Sequence, residues 1–361
     1  MKPLRAVTTG LLCGGRPGNL PVVFEPIHTE RLLLRPMRPD DAAGLHERRN
    51  HPEVSHYQSW PLPFPLEKAQ QMVADIAAMD GPAEGEWWML SVVDPETDEA
   101  LGDLALFMSN EGRTAEVGYT FDFERWGNGY AVEAVEALVV RLFATFGVTR
   151  VSATLHPDNR PSAMVLERTG FIFEGHTRLS YWVGDDNSDD LIYGLTREDW
   201  EAWRGRPRKL PAEVRLVELT TGNRQDVLDL RTHHSQLSFV APMSKSLSEA
   251  LIPPVEDGSI LVPWFRAIEA DGAIVGFVML GLPDHAEPFL WRLLIDRIHQ
   301  RRGIAGAALA LVGDEVKAMG HQTYLTSWIE GRGSPGPFYI GLGFELTGEV
   351  IHGETVARMT L

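Results

Sequence analysis

A single cysteine, Cys13, stands in a chain of 361 residues. One thiol closes no internal disulfide, and nothing around it has the spacing of a zinc site, so no metal is expected. The same scarcity suits a reducing compartment, and a cytoplasmic location is expected. Long apolar runs are missing too: no window reaches the ~18 apolar residues of a membrane span. The first 25 residues carry Lys2 and Arg5, but only Leu11 and Leu12 form an apolar run before Cys13 and Gly14. A secretory core needs about 7–15 apolar residues, so this stretch reads as a flexible tail and not as a signal peptide. The third absence is positive charge. Lys and Arg number 33 against 50 Asp and Glu, a net charge of −17. Such a chain does not hold a polyphosphate backbone by bulk attraction, which argues against a nucleic-acid partner. It suits cationic substrates such as amines, and equally a merely soluble protein.

What is present is a globular composition, 44% hydrophobic and 23% charged. The length suits two domains of about 150–180 residues. A Pro- and Arg-rich stretch, RGRPRKLPAE, interrupts the pattern near residue 208, and VRLVELT (214–220) then restarts as a strand. The expected division is a tail over 1–25, a first domain over 26–205, a linker over 206–213 and a second domain over 214–361.

Each half runs through the same order of elements. In the first, strands are expected at 31–37, 87–94, 99–108, 115–123 and 151–157, with a closing hairpin of 178–183 and 191–196 around the acid-rich GDDNSDD. Helices are expected at 40–50, 65–79, 130–146 and 161–169. In the second, strands are expected at 214–220, 262–269, 273–281, 289–296, 323–328, 344–350 and 355–361, with a helix to about 319 and a short one within FYIGLGF. Strand–helix–strand units of this kind are βαβ crossovers, so the fold class is α/β (α+β): two tandem domains, each a mixed, mostly antiparallel sheet flanked by helices.

Two turns carry the chemistry. ERWGNGYAVEA (124–134) lies between a strand and a helix. Gly127 and Gly129 permit positive φ and close approach of a ligand, and loop N–H groups at a helix start form an anion site. A P-loop would continue Gly-Lys-Ser/Thr, and a dinucleotide turn would need a third Gly where Val132 stands. A plain strand–helix turn is the competing reading. HQRRGIAGAAL (299–309) repeats the arrangement: Gln300, Arg301, Arg302 and Gly303 follow a strand, and Ile304, Ala305 and Gly306 open a helix.

At these residues the sequence resembles the GNAT superfamily of acyl-CoA-dependent N-acyltransferases, whose pyrophosphate loop reads Gln/Arg-x-x-Gly-x-Gly/Ala. Gln300, Gly303 and Ala305 match it; Trp126, Gly127, Asn128, Gly129, Tyr130 and Ala131 are the first-half equivalent, with Trp126 in place of Gln/Arg. TERLLLRPM, HPDNRPSAMVLERTGFIFEG and LIYGLTREDW resemble the ribosomal-protein N-terminal acetyltransferase branch, and LWRLLIDRIHQRRGIA and FYIGLGFELTGE the polyamine acetyltransferase branch. The resemblance implies acetyl-CoA as donor, with its pantetheine arm pairing like an added strand along 115–119 and 289–295 where neighbouring strands splay. Leu294 and Ile295 would flank that arm.

Direct transfer needs a neutral amine and a proton for the departing thiolate. The resemblance makes Tyr339 the general acid of the second half, with Arg332 where the family often has Asn, and Ser334 replacing some of its contacts. A core aromatic is the competing reading of Tyr339. Asp296 and Glu349 are candidate bases or amine anchors there, or ordinary solvated acids. In the first half Ser162 is the group expected to touch the donor and protonate the thiolate, and Asn159 is a cap, a donor contact or both. Glu116 is the candidate base, with His156 as an alternative. The expected function is acetyl transfer to an amine: a protein N-terminus or lysine, an antibiotic or a polyamine. The alternative is that one half is a silent acyl-CoA-binding copy, or that the donor is another acyl-CoA. A homodimer is left open.

Overall fold

A computed structural model describes residues 24–58, 60–183, 186–253, 255–256, 259–284 and 286–361. Cys13 and the expected tail up to residue 23 lie outside the described residues. The tail's last two residues do not: Phe24 is 2% exposed and its ring packs 4.9 Å from that of Trp88. The chain divides into two units, Met1–Arg204 and Gly205–Leu361.

The first unit is built on strands β1 (Ile27–His28), β2 (Leu33–Pro36), β3 (Trp87–Val93), β4 (Ala100–Ser109), β5 (Thr114–Phe121), β6 (Arg150–Leu155), β7 (Ile172–Val183) and β8 (Asp186–Thr196). Its helices are α1 (Ala42–Asn50), α2 (Pro52–Ser55), α3 (Leu66–Ala77), α4 (Tyr130–Thr145), α5 (Arg160–Arg168) and α6 (Arg197–Gly205). Among the described residues the sheet order is β1-β2-β3-β4-β5-β6-β8-β7. Among the described strand pairs of this sheet only β5 and β6 run parallel, because α4 carries the chain back across the sheet between them. α4 buries Ala134, Val135, Leu138, Val139, Leu142 and Phe143, the apolar stripe that helical spacing requires.

Two features differ from expectation. β7 and β8 run longer than the sequence pattern suggests: Asp186 to Asp190 lie in β8, Asp189 bonds His176 Nε2 at 2.7 Å, and Asp190 is buried, while Gly184 and Asp185 of GDDNSDD lie outside the described residues. Charged side chains with cross-strand partners sit in a strand without penalty. The helix α6 was not expected either. Its Trp200 and Trp203 are buried, and Gly170 is required beneath Trp203, since a Cβ there would lie 2.6 Å from the indole.

The second unit repeats the plan with β9 (Val214–Val217), α7 (Arg224–Asp229), α8 (Met243–Leu251), a two-residue pair β10 (Val255–Glu256) and β11 (Ser259–Ile260), β12 (Val262–Ala270), β13 (Ala273–Leu282), β14 (Phe289–Ile295), α9 (Ile304–Ala318), β15 (Thr323–Trp328), α10 (Gly336–Gly341), β16 (Glu345–Ile351) and β17 (Glu354–Thr360). The main sheet order is β16-β17-β15-β14-β13-β12-β9, and again the one described parallel pair, β14 with β15, brackets a helix, α9.

Candidate functional site

In the first unit β5 and β6 pair only at Thr114–Arg150, Ala115–Val151 and Glu116–Ser152, then part. The later residues of β5 keep antiparallel partners on β4 alone, so its other edge is open. An opening in a sheet exposes unpaired N–H and C=O groups, which accept an extended ligand as they would a strand. In the second unit β14 and β15 pair at Phe289–Leu325 and Leu290–Thr326 and then part in the same way.

Each opening leads to its loop. Gly127 and Gly129 both have φ +81, and Gly129 is the N-cap of α4. In the second unit Arg301 (φ 62) and Gly303 (φ 72) take the same left-handed conformation, and Gly303 caps α9. Two alternating left-handed positions turn successive N–H groups toward one side, at a helix N-terminus that favours an anion. Arg31 braces the first loop: its Nη1 donates to the Asn128 carbonyl at 3.0 Å, its Nη2 pairs with Glu133 at 2.6 Å, and its guanidinium lies over the Tyr130 ring at 4.7 Å. The Trp126 indole N–H donates to the Phe121 carbonyl at 2.9 Å, so this residue fixes the loop's approach instead of offering a donor.

The pleat separates the candidate catalytic groups of the first unit. Ser91, Asp103 and Thr120 are opposite one another across β3, β4 and β5 and so share a face, and Glu116 lies on that face by alternation. α1 covers it: Arg48 pairs with Asp103 and Ser91 bonds Asp41. Glu116 stands at the last rung before the opening, and Thr154 Oγ1 donates to its carboxylate across the gap at 3.3 Å. Ala115, Val117, Tyr119 and Phe121 point to the opposite face, where α4 and α5 pack. There the Tyr119 hydroxyl lies 2.8 Å from both Ser162 Oγ and the Ser162 carbonyl. Burial pushes the Tyr119 phenol well up, so it keeps its proton at neutral pH. Asn159 Oδ1 accepts from the Ser162 N–H at 3.2 Å, which makes Asn159 the α5 cap. His156 Nδ1 accepts the Asp158 N–H at 3.1 Å and its ring stacks on Tyr57, an orienting arrangement at the end of β6.

In the second unit Tyr339 lies on α10, 8% exposed, stacked on Trp328 with ring centroids 5.7 Å apart. Burial outweighs a hydrogen bond with Thr326, and its hydroxyl is pushed up to about 12. Thr326 is on the last rung before the gap, so Tyr339 reaches the opening through it. Ser334 Oγ accepts the Gly336 N–H at 3.2 Å just before α10, while Arg332 is exposed.

Several expected site residues have other roles. Arg302 is 6% exposed; its Nε donates to the Lys209 carbonyl at 2.8 Å and its Nη2 lies 3.6 Å from Asp271, so it ties down the segment before β9 and offers no free cation to the loop. Gln300 exchanges amide bonds with Gln236 and donates to the Ile295 carbonyl at 3.0 Å. Leu294 and Ile295 are buried core residues, which leaves only their backbone for a ligand. Ile304 is likewise buried, and Gly306 packs against Leu342 at the start of α9. Asp296 uses both oxygens on the Ile298 and Arg231 N–H groups, so it is a cap and not a base. Glu349 is on β16, the outer edge strand, two strands away from the opening. Sequence reasoning missed Tyr119. Its signal was present, an aromatic four residues into the strand whose alternation pointed at α5.

β14 differs at its opening. Leu290, its last residue paired with β15, packs with Tyr339 on the α9 and α10 side. After a register shift against β13, Trp291 packs on the α7 and α8 side and Arg292 bonds Glu249 of α8, so no strand carboxylate stands where Glu116 does in the first unit.

Comparison with known proteins follows this geometry. Residues 31–172 match the acetyltransferase (GNAT) domain and residues 235–335 the acetyltransferase (GNAT) family. A Bacillus licheniformis protein named uncharacterized N-acetyltransferase p20 is 34% identical over 156 residues, 43% of this chain and 86% of its own. The ribosomal protein uS5-alanine N-acetyltransferase of Escherichia coli is 24% identical over 123 residues, 34% of this chain and 63% of its own. The crystal structure of a GNAT-family acetyltransferase from Bacillus anthracis aligns with 48% of this chain and 99% of its own at 25% identity and a TM-score of 0.44.

Proposed function

We propose, from the premise that this chain belongs to the GNAT family of acetyltransferases, that its first unit moves an acetyl group from acetyl-CoA to an amine by direct attack. Membership makes the chain an acyl-CoA-dependent N-acetyltransferase; the acetyl donor, the acceptor and the residue roles are the proposal.

The observation that carries it is the two-faced opening between β5 and β6. The donor's diphosphate sits on the Gly127–Gly129 loop and its pantetheine arm pairs with the free edge of β5. Backbone N–H groups of that edge polarise the thioester carbonyl and stabilise the oxyanion. The amine enters from the α1 face, where Glu116 takes its proton directly or through one water. Nitrogen attacks the carbonyl carbon, the C–N bond forms and the C–S bond breaks. The thiolate leaves toward the α5 face and takes a proton from the Ser162–Tyr119 pair. Base and acid on opposite faces spare the incoming amine and the departing thiol from competing for one position. The acceptor we favour is the α-amine of a peptide, in keeping with the alanine named for the Escherichia coli relative.

A second reading applies to the second unit, and β14 favours it. With an acid, Tyr339, on the α10 side but Trp291 and Arg292 in place of a carboxylate on the α8 side, that unit holds an acyl-CoA without accepting the amine's proton.

Calorimetric titration with acetyl-CoA tests the first step, and steady-state kinetics of Ser162→Ala and Tyr339→Phe the second. Two sites per chain are expected, with turnover lost in Ser162→Ala and kept in Tyr339→Phe. Absence of acetyl-CoA binding would end the proposal; turnover lost only in Tyr339→Phe would move catalysis to the second unit.

A further inference from the structure

Four arginines are buried among the described residues, Arg35, Arg48, Arg49 and Arg302, and of these Arg49 is the one without an ion pair. Arg49, at the end of α1, is 6% exposed, and its guanidinium lies against two rings, 4.5 Å from the centroid of Trp60 and 4.7 Å from that of Phe64. Its side chain donates no hydrogen bond to any described residue. The neighbouring Arg48 takes both nearby carboxylates, Asp103 at 2.8 Å and Asp122 at 2.8 Å, and Arg49 feels Asp103 only through space. The Arg49 nitrogens are not among the fully buried atoms left without a partner, so the residual exposure of this otherwise buried side chain leaves N–H donors open to an anionic ligand.

The surroundings are built to hold this side chain. The Trp60 indole N–H donates to the Arg49 carbonyl at 2.9 Å. Asn50 grips Phe64 on both sides, accepting its N–H at 2.9 Å and donating to its carbonyl at 2.9 Å. Both rings approach the guanidinium at its carbon, so its N–H edge is the part left to meet a partner. That edge matches a carboxylate, which takes two parallel N–H donors. A second cation is near, since Lys68 Nζ lies 5.4 Å over Phe64. Two residues further along, His51 Nδ1 is buried without a hydrogen-bond partner, and its ring stacks on Phe123 in the turn that leads to the donor loop. Tyr57, in the same segment, stacks on His156 at the end of β6. Residues 49–58 therefore run between the two walls of the opening, on the face of Glu116.

We propose that Arg49 is a binding residue for the acceptor: it takes a carboxylate carried close to the amine that is acetylated. The proposal rests on the first unit being the transferase and narrows its acceptors to acidic ones. The carboxylate has two sources, the α-carboxylate of a free amino acid or the acidic side chain after the first residue of a peptide.

The test is calorimetric binding to the full chain saturated with coenzyme A. Two acid–amide pairs serve as probes: alanine with alaninamide, and the peptides Ala-Asp-Gly-amide and Ala-Asn-Gly-amide. A bidentate charge-assisted contact corresponds to roughly ten- to hundredfold in affinity. At least one acid is expected to bind tenfold or more tightly than its amide, and the pair that shows it identifies the source. Arg49→Met keeps a stem against the rings and is expected to erase the preference; Arg49→Lys keeps the charge without the fork and is expected to retain a small part of it. Unchanged coenzyme A affinity in both variants certifies the fold. No preference for either acid in the natural chain, or a preference that survives Arg49→Met, overturns the proposal. Failure of the transferase reading shows separately, as loss of coenzyme A binding in the first step.

Discussion

Replacing Gly129 with alanine isolates the shape of the donor loop from everything around it. Gly129 sits at φ +81 and ψ 3, a left-handed conformation. An added Cβ would meet nothing closer than Arg31 Nη2 at 3.6 Å, an ordinary contact. The cost is therefore confined to the backbone, about 1–2 kcal/mol for a residue with a Cβ in this region. Without ligand the loop relieves that strain by rotating, and the N–H groups turn away from the donor's diphosphate. Binding must restore the strained form, so acetyl-CoA affinity at the first site should fall by about 5- to 30-fold, since 1.4 kcal/mol is tenfold. The second loop is untouched by this change, so a titration should show one weakened site beside one unaltered site. If thermal stability falls by the equivalent of the whole penalty while both affinities stay as they were, the loop's left-handed turn is structural only and the reasoning fails. Gly303→Ala is the companion experiment. Its Cβ would lie 2.8 Å from Leu210 Cδ2, but that side chain is 76% exposed and can swing aside, so the same range is expected at the second site.

Other expectations concern catalysis and stability. Ser162→Ala should lower kcat by about a hundredfold with little change in the KM for acetyl-CoA, the usual scale of a lost proton donor; an equal rise in KM would make Ser162 a binding group. Asp103→Asn breaks the buried pair with Arg48, whose partners are 2% and 5% exposed, and should cost at least about 3 kcal/mol. In a unit of this size that is a fall in Tm of about 6–12 °C, and a change under about 2 °C would mean that Asp122 compensates. For Asp41, burial alone would raise the carboxyl, but bonds from Arg35, Ser91 and the Arg38 N–H outweigh it and hold it below its ordinary 3.8. A depressed folded value gives stability that is present above the unfolded pKa and lost as pH falls through the folded one. The Tm gap between the natural chain and Asp41→Asn should thus be constant above about pH 5 and shrink below about pH 4; a gap independent of pH would show that ionisation of Asp41 contributes nothing.

The strands, the crossover helices and both glycine turns were legible because each rests on local periodicity or on one residue's allowed dihedrals. What sequence alone withheld is long-range. Arg302 looked like a phosphate ligand until its partner, the Lys209 carbonyl, was seen 93 positions away in the chain. Asp296 read as a base, an amine anchor or an ordinary acid, and the Arg231 N–H that occupies it is 65 positions away. Ser162 is legible as a polar group at the start of α5, but its contact with Tyr119 depends on how α5 docks on β5. The strand membership of Asp186 to Asp190 was hidden for another reason: acidic composition suggests a loop, and cross-strand pairing decides otherwise.

The two openings also show how much one backbone tolerates. At the loop, Gly127 of the first unit and Arg301 of the second share the left-handed conformation, so the turn outlives the loss of the residue that suits it. Only Gly129 and Gly303, at the helix caps, remain glycine in both. Beside the gap, the α1 side of the first unit carries Glu116, whereas β14 of the second presents Trp291 and Arg292 toward α8 and buries Leu290 with Tyr339 on the other side. The proton-handling group beyond the gap differs as well, a serine bonded to Tyr119 on α5 against Tyr339 on α10. A strand gap and a left-handed helix cap are backbone features and survive such exchanges. A pair of proton-transfer groups on opposite faces of the gap is a side-chain feature, and a single change at one rung removes it. Donor binding should therefore be shared by both units and amine deprotonation confined to the first. Glu116→Gln tests this directly: it should abolish turnover while a calorimetric titration still shows two acetyl-CoA sites of unchanged affinity. If Glu116→Gln leaves turnover intact, the asymmetry between the two gaps has no catalytic meaning.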